Sequence, residues 1–291
     1  MGLPAHSIEG DYASARFPAL GWLKAASIGA LLGILYTQHL VGLFDDWWNE
    51  PSLSHGLLIP PLAAFLVWHR RASISALPTS ADLRGLLLIL LACSMYALGN
   101  LAAEFFLSRI SFVVMLGGLI WTFWGLPRFH GLRFPLLLLA TMVPLPSILY
   151  NTISAPLKLL ASGVSTALVQ ALGVTVHRDG NLIHLARITL GVEEACSGLS
   201  ALSALVVTSL MLGFLLGSSH PVRIVLLAAS VPVAIAANIV RVAGTALIAD
   251  FQPDLAMGFY HLFSGWLVFV VGFAMLFGLE RCFTAIARLR K

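Results

Sequence analysis

Apolar and polar positions divide this chain into long oily runs separated by short polar breaks. The runs predict helices at about 19–42, 55–69, 85–103, 108–127, 133–150, 197–217, 223–249 and 262–280. A helix needs roughly 20 apolar residues to cross the hydrocarbon core of a bilayer. Most of these runs approach that length. The expected fold is therefore all-α: a polytopic integral membrane helix bundle with about eight spans and short connections.

Composition sharpens this picture. The chain is 59% hydrophobic and 10% charged, with a mean hydropathy of +0.92. A soluble domain carries about a quarter charged residues, so the principal solvent here is lipid. Residues 1–291 read as a single membrane-embedded domain, with no room for a large soluble one. The N-terminal "MGLPAHSIEGDYASARF" lacks a signal sequence with a small-residue cleavage site. The first apolar run is thus expected to be retained as a helix.

The segment "YNTISAPLKLLASGVSTALVQALGV" (150–174) is long enough to span but rich in Ser and Thr. It reads as an interfacial or re-entrant helix, and a nine-span arrangement stays open. After it, Asp179-Gly180 signals a turn. Ile188, Leu190 and Val192 alternate with Arg187, Thr189 and Gly191. These patterns predict a small extracytoplasmic hairpin feeding the sixth span.

Charge sets the orientation. Of 17 basic residues, 12 fall on one side of the predicted bundle, among them Arg70, Arg71, Arg84, Arg128, Arg133, Arg223 and Arg281. The positive-inside rule makes that side cytoplasmic, together with both termini. The acids Asp45, Asp46, Glu50, Glu104, Asp179, Glu193, Glu194, Asp250 and Asp254 gather on the outer side. The +4 formal charge forms no basic stripe, so nucleic-acid partners are excluded. Cys93, Cys196 and Cys282 lie far apart, without disulfide or metal-type spacing. His177 and His184 do not form a metal motif, no HExxH occurs, and neither a metal nor another cofactor is expected.

Three residues carry candidate chemistry. Cys196, in "GVEEACSGLS", opens the sixth span, where free backbone N–H groups and the helix dipole favour a thiolate. Glu193 and Glu194 oppose that, so a cation is needed nearby. Arg241, in "AIAANIVRVAGTALIAD", lies inside the seventh span, where an arginine is costly and functional by default. Asn238, Arg241 and Thr245 share one helix face. His261 opens the eighth span in "GFYHLFSGW". All three converge on the outer side from successive helices. A thiol, a base and a cation for an oxyanion suit attack on an amide. Tyr260 and Trp266 read as interface anchors.

These residues, in this order, resemble the exosortases and the wider exosortase/archaeosortase group over about residues 45–280. "EACSGL" (194–199) is similar to the family's cysteine motif, "NIVRV" (238–242) to its arginine motif, and His261 with "GW" (265–266) to its histidine motif. "SHGLLIPPL" (54–62) and "MVPLP" (142–146) resemble its upstream motifs. The chain departs from many members at Ser200, where a basic or amide residue is common. The resemblance implies a membrane-embedded cysteine transpeptidase or protease of the bacterial inner membrane. Its substrates would be exported proteins with a C-terminal sorting tail: a PEP-CTERM-like motif, one membrane helix and a basic cluster. Cys196 would be the nucleophile, His261 the acid/base and Arg241 the oxyanion or thiolate stabiliser. Asn238, Glu194, Ser197, Gly198 and His55 would support them. The acceptor nucleophile is unknown. A hydrolytic processing peptidase, or a non-enzymatic scaffold or transport component of polysaccharide export, are the alternatives.

Overall fold

The computed structural model describes residues 19–192, 198–257 and 259–289. They form ten α-helices, a 3-10 turn and one small sheet. In chain order these are α1 (Ala19–Asn49), a 3-10 turn (Ser54–Leu58), α2 (Ile59–His69), α3 (Arg71–Ser75), α4 (Gly85–Leu101), α5 (Phe105–Ala140) and α6 (Ser147–Ala171). Then follow β1 (Val176–Asp179), β2 (Leu182–Leu185), β3 (Thr189–Gly191), α7 (Leu199–Leu215), α8 (His220–Phe251), α9 (Pro253–Met257) and α10 (Phe259–Leu289). The chain divides into two units, residues 1–42 and 43–291. The described part of the first is the start of α1. Everything below concerns the second.

Among the described residues, five helices are long and apolar enough to cross a membrane, and α4 and α7 are shorter apolar helices. The protein is a polytopic membrane bundle. The exposed side chains include Leu87, Leu90, Ile224, Val240 and Phe273. Apolar side chains on an outer surface are costly in water and at home in lipid.

The predicted span at 133–150 does not form as one helix. The helix ending at Ala140 gives way to a non-helical stretch, and a new helix begins at Ser147. Pro144 and Pro146 cause the break, because proline restricts the residue before it and removes a helical donor. The fourth and fifth runs are two helices, as predicted, but the break between them falls at Gly125, within the range given as α5, where φ is 82° and ψ 171°; Trp121 and Phe129 stack across it. Only glycine adopts that conformation readily. A β-carbon there would also stand 2.5 Å from the Ser80 carbonyl oxygen.

Segment 150–174 lies mostly within α6, a continuous helix of 25 residues that belongs by length and composition with the crossing helices. The polar residues that read as a surface face are instead buried: Ser154, Ser162, Ser165 and Thr166. The Ser165 hydroxyl donates to the Ile239 carbonyl of α8 at 2.9 Å, and Ser162 to Gly180 at 3.0 Å. Small hydroxyl residues let helices approach closely and then satisfy a carbonyl across the interface.

The sheet is antiparallel in the order β1-β2-β3, with Val176 opposite Leu185 and Ile183 opposite Leu190. Its buried residues Val176, Ile183, Leu185 and Leu190 pack with Ala161 and Val169 of α6 and with Val242, Ala246 and Ala249 of α8. The predicted hairpin thus gains a third strand and caps one end of the α6–α8 pair.

A second cluster joins Leu43 and Trp47 to α2, α5, Met142, Val143 and the far end of α7. At that end the Arg70 guanidinium lies 3.9 Å from the Phe214 ring centroid, and Arg223 lies 6.0 Å from it. Arg128 donates to the carbonyls of Leu77 and Ser75. Basic residues from distant stretches therefore meet in space, at the helix ends where aromatic faces receive them.

A candidate active site at the start of the seventh helix

Gly198 precedes α7 in the left-handed region, with φ 82°. A β-carbon there would lie 2.9 Å from the Asn238 carboxamide. Two reasons therefore require glycine: the backbone angle and the close approach of α8. On the far side of α8, a β-carbon on Gly265 of α10 would stand 3.9 Å from Arg241 Nη1. The glycine after the cysteine meets Asn238, and the glycine after the histidine meets Arg241.

Asn238 and Arg241 are both buried, with Arg241 only 7% exposed. The Arg241 carbonyl accepts from the Thr245 hydroxyl at 2.9 Å. A guanidinium at the centre of a membrane helix costs about 2.5–3.5 kcal/mol on insertion scales.

A cavity of about 510 Å³ lies beside Arg241. Its walls are Pro51, Ser52, Ser54, His55 and Leu58 from the turn before α2; Ser200, Ala201 and Ala204 from α7; Arg241 from α8; and Gly265, Trp266 and Phe269 from α10. Trp266, expected as an interface anchor, is a wall of this cavity. A second chamber of about 450 Å³ adjoins it. The second is lined by apolar side chains of α5 and α7 and by the 141–145 stretch. Ser52, His55 and Ser200 line both.

The "SHG" stretch reaches this place through packing that sequence reading missed. The Trp47 indole N–H donates to the Met142 carbonyl at 3.0 Å. A β-carbon on Gly56 would fall 2.2 Å from Trp47 Nε1. Gly56 thus lets the turn lie flat on the indole. The motifs at 54–62 and 142–146, far apart in sequence, are clamped together by one tryptophan. At the end of α1, Asp46 pairs with Arg109 of α5 at 2.5 Å. Burial holds the His55 imidazole below the usual histidine range, while a bond to the Ser52 backbone pulls the other way.

Of the sequence-predicted site residues, Arg241 and His55 line this cavity, while Gly198 and Asn238 meet each other in the wall of a smaller pocket beside α6. Cys196, Glu194 and Ser197 lie outside the described residues. The described chain resumes at Gly198, and Ser200 already lines the cavity. His261 belongs to the first turn of α10, one helical turn before Gly265, and its side chain is outside the description. Ser52 and Ser200 are the site residues that sequence reading did not select. No sequence signal marked Ser52, whereas the departure at Ser200 was visible. Among the described residues no group of three metal-ligating side chains occurs.

The fold and the cavity are those of a polytopic membrane protein with a buried arginine in a cavity wall. Residues 47–278 match the family described as Transmembrane exosortase (Exosortase_EpsH), and the chain belongs to that family. Membership implies a sorting protease or transpeptidase associated with PEP-CTERM protein sorting, acting on proteins with sorting tails. No curated protein and no solved structure matches the chain.

Proposed function

We propose that this exosortase is a cysteine transpeptidase whose nucleophile is Cys196. The thiolate attacks the carbonyl carbon of the peptide bond at the sorting motif. The tetrahedral oxyanion is stabilised by the Arg241 guanidinium. The tail departs as an amine that takes a proton from His261, leaving a thioester on Cys196. An acceptor nucleophile then resolves the thioester. Asn238 holds the Gly198 turn, and Glu194 and Ser197 flank the thiol.

The observation that supports this reading is that Ser200, Arg241, Gly265 and Trp266, from α7, α8 and α10, line one cavity. The reading places that cavity at the outer face of the inner membrane, with both termini cytoplasmic. The basic meeting point near Phe214 supports this orientation. Along α8, Arg223 and Arg241 are 18 residues apart in sequence, about 27 Å of helix.

Co-expression with a sorting-tail substrate tests the proposal. Wild type is expected to trim the tail, while Cys196→Ala leaves it uncut with normal membrane insertion. Arg241→Ala and His261→Ala are expected to fall by about 100-fold or more. Product mass distinguishes transfer from hydrolysis. Trimming by Cys196→Ala at the wild-type rate would remove the thiol from the mechanism.

A further inference from the structure

We infer that His177 and His184 form a binding site for one divalent transition-metal ion, Zn²⁺ or Cu²⁺, on the exposed face of the small sheet. Seven residues separate the two histidines along the chain, and that spacing matches no metal motif. The strand register supplies what the spacing lacks. β1 and β2 run antiparallel with His177 directly opposite His184. Opposed residues of an antiparallel pair project to one face, with β-carbons about 4.5–5.5 Å apart. The two ring centroids lie 6.2 Å apart, and the ring planes differ by 21°. Imidazole nitrogens bind zinc at about 2.0–2.1 Å, so two rings on one ion have centroids roughly 5–6 Å apart. The pair is spaced for a shared ion with little movement of either strand.

The sheet sorts its side chains by face. Val176, Ile183, Leu185 and Leu190 are buried against α6 and α8. On the other face His177 is exposed and His184 half-buried. Asp179, two residues on in β1, shares that face and adds a negative charge. The neighbouring cation, Arg178, is on the opposite face, where its guanidinium donates to the Leu159 carbonyl of α6 at 3.1 Å. His184 Nδ1 lies 2.9 Å from the hydroxyl of Thr189, its register partner in β3. A hydroxyl can accept from an Nδ1–H, and that tautomer leaves Nε2 with its lone pair. Metal-bound histidines commonly use the second ring nitrogen in this way, which fixes the ring and raises its basicity.

Imidazole suits both Zn²⁺ and Cu²⁺, with Cu²⁺ the tighter of the two. Among the described residues no third histidine, cysteine or carboxylate joins the pair in one group. The protein thus supplies two ligands, and water or a ligand brought by another molecule completes the coordination. The ion ties β1 to β2. The buried face of the same strands packs on Val242, Ala246 and Ala249 of α8, and Val242 directly follows Arg241. Metal binding therefore stabilises the cap that packs on α8 beside the cavity. The site is independent of the thiol chemistry proposed above.

The test uses the full chain in detergent, purified without a histidine tag and stripped with a chelator. Calorimetric titration is expected to show one Zn²⁺ bound per chain, and saturating Zn²⁺ to raise the melting temperature by about 5 °C. With one equivalent of Cu²⁺, electron paramagnetic resonance is expected to show two coordinated imidazole nitrogens. Thr189→Val keeps the branched shape and removes the hydroxyl, and is expected to weaken Zn²⁺ binding about tenfold. His177→Gln and His184→Gln are each expected to weaken it by about 100-fold or more and to abolish the thermal shift. All three variants are expected to melt like wild type without metal. Should a glutamine variant melt lower, the nitrogen count on wild type alone decides. No stoichiometric binding by wild type, fewer than two nitrogens on Cu²⁺, or undiminished binding in both histidine variants each overturns the inference.

Discussion

Single residues of this protein are constrained by what touches them. Gly198 is the clearest case. Alanine there costs about 1–2 kcal/mol for the left-handed backbone, before the 2.9 Å approach of Asn238 is counted. Gly198→Ala is expected to lower the melting temperature in detergent and to depress tail cleavage more than expression. Wild-type cleavage would show that the turn before α7 tolerates displacement. At Arg241 the proposed role asks for more than charge. Lysine keeps the charge but loses the planar fork of donors. Arg241→Lys is expected to insert normally and to cleave at least about tenfold more slowly, read from single-turnover rates. Equal rates would mean that a point charge suffices.

At the scale of elements, the site rests on joints between helices. Trp47, at the end of α1, donates to Met142 in the break after α5 and floors the turn that carries His55. Trp47→Phe keeps the ring and removes the donor, leaving a buried carbonyl unpaired at a cost of about 1–3 kcal/mol. It is expected to destabilise the protein by that amount in denaturation. Tail cleavage should fall with it, since the turn that carries His55 loses its floor. An unchanged unfolding midpoint would mean that the Met142 carbonyl finds another donor. The Ser and Thr stripe of α6 teaches the same lesson. Its hydroxyls read as a wet face because residue type alone cannot distinguish contact with water from contact with a neighbouring helix. Only the partner, α8, decides.

For the whole molecule, the basic residues of separate stretches meet near Phe214, while the α7 start, Arg241 and Gly265 gather about the cavity. The proposed orientation is checked by single cysteines in a background lacking Cys93, Cys196 and Cys282. Thr79→Cys and Asp179→Cys are both on exposed positions. A membrane-impermeant thiol reagent added to spheroplasts is expected to label Asp179→Cys at once and Thr79→Cys only after lysis. The reverse pattern would invert the bundle and put the cavity on the cytoplasmic side.

The sequence by itself determined that the chain lives in a bilayer, because apolar runs are a local property and lipid is the solvent they match. It also determined the chemical types available to the site and their order along the chain: thiol, guanidinium, imidazole. The helix starting near Leu199, the long α8 and the turn at Asp179-Gly180 were legible for the same local reason. The 133–150 span was misread because hydropathy averages over Pro144 and Pro146, whereas the backbone stops at them. What only the tertiary structure decided was which faces meet. Gly198 against Asn238, Gly265 against Arg241 and Gly56 against Trp47 join positions 40, 24 and 9 residues apart. Close packing selects such pairs by shape. That is why Ser52, which nothing in the sequence marked, lines two chambers together with His55 and Ser200.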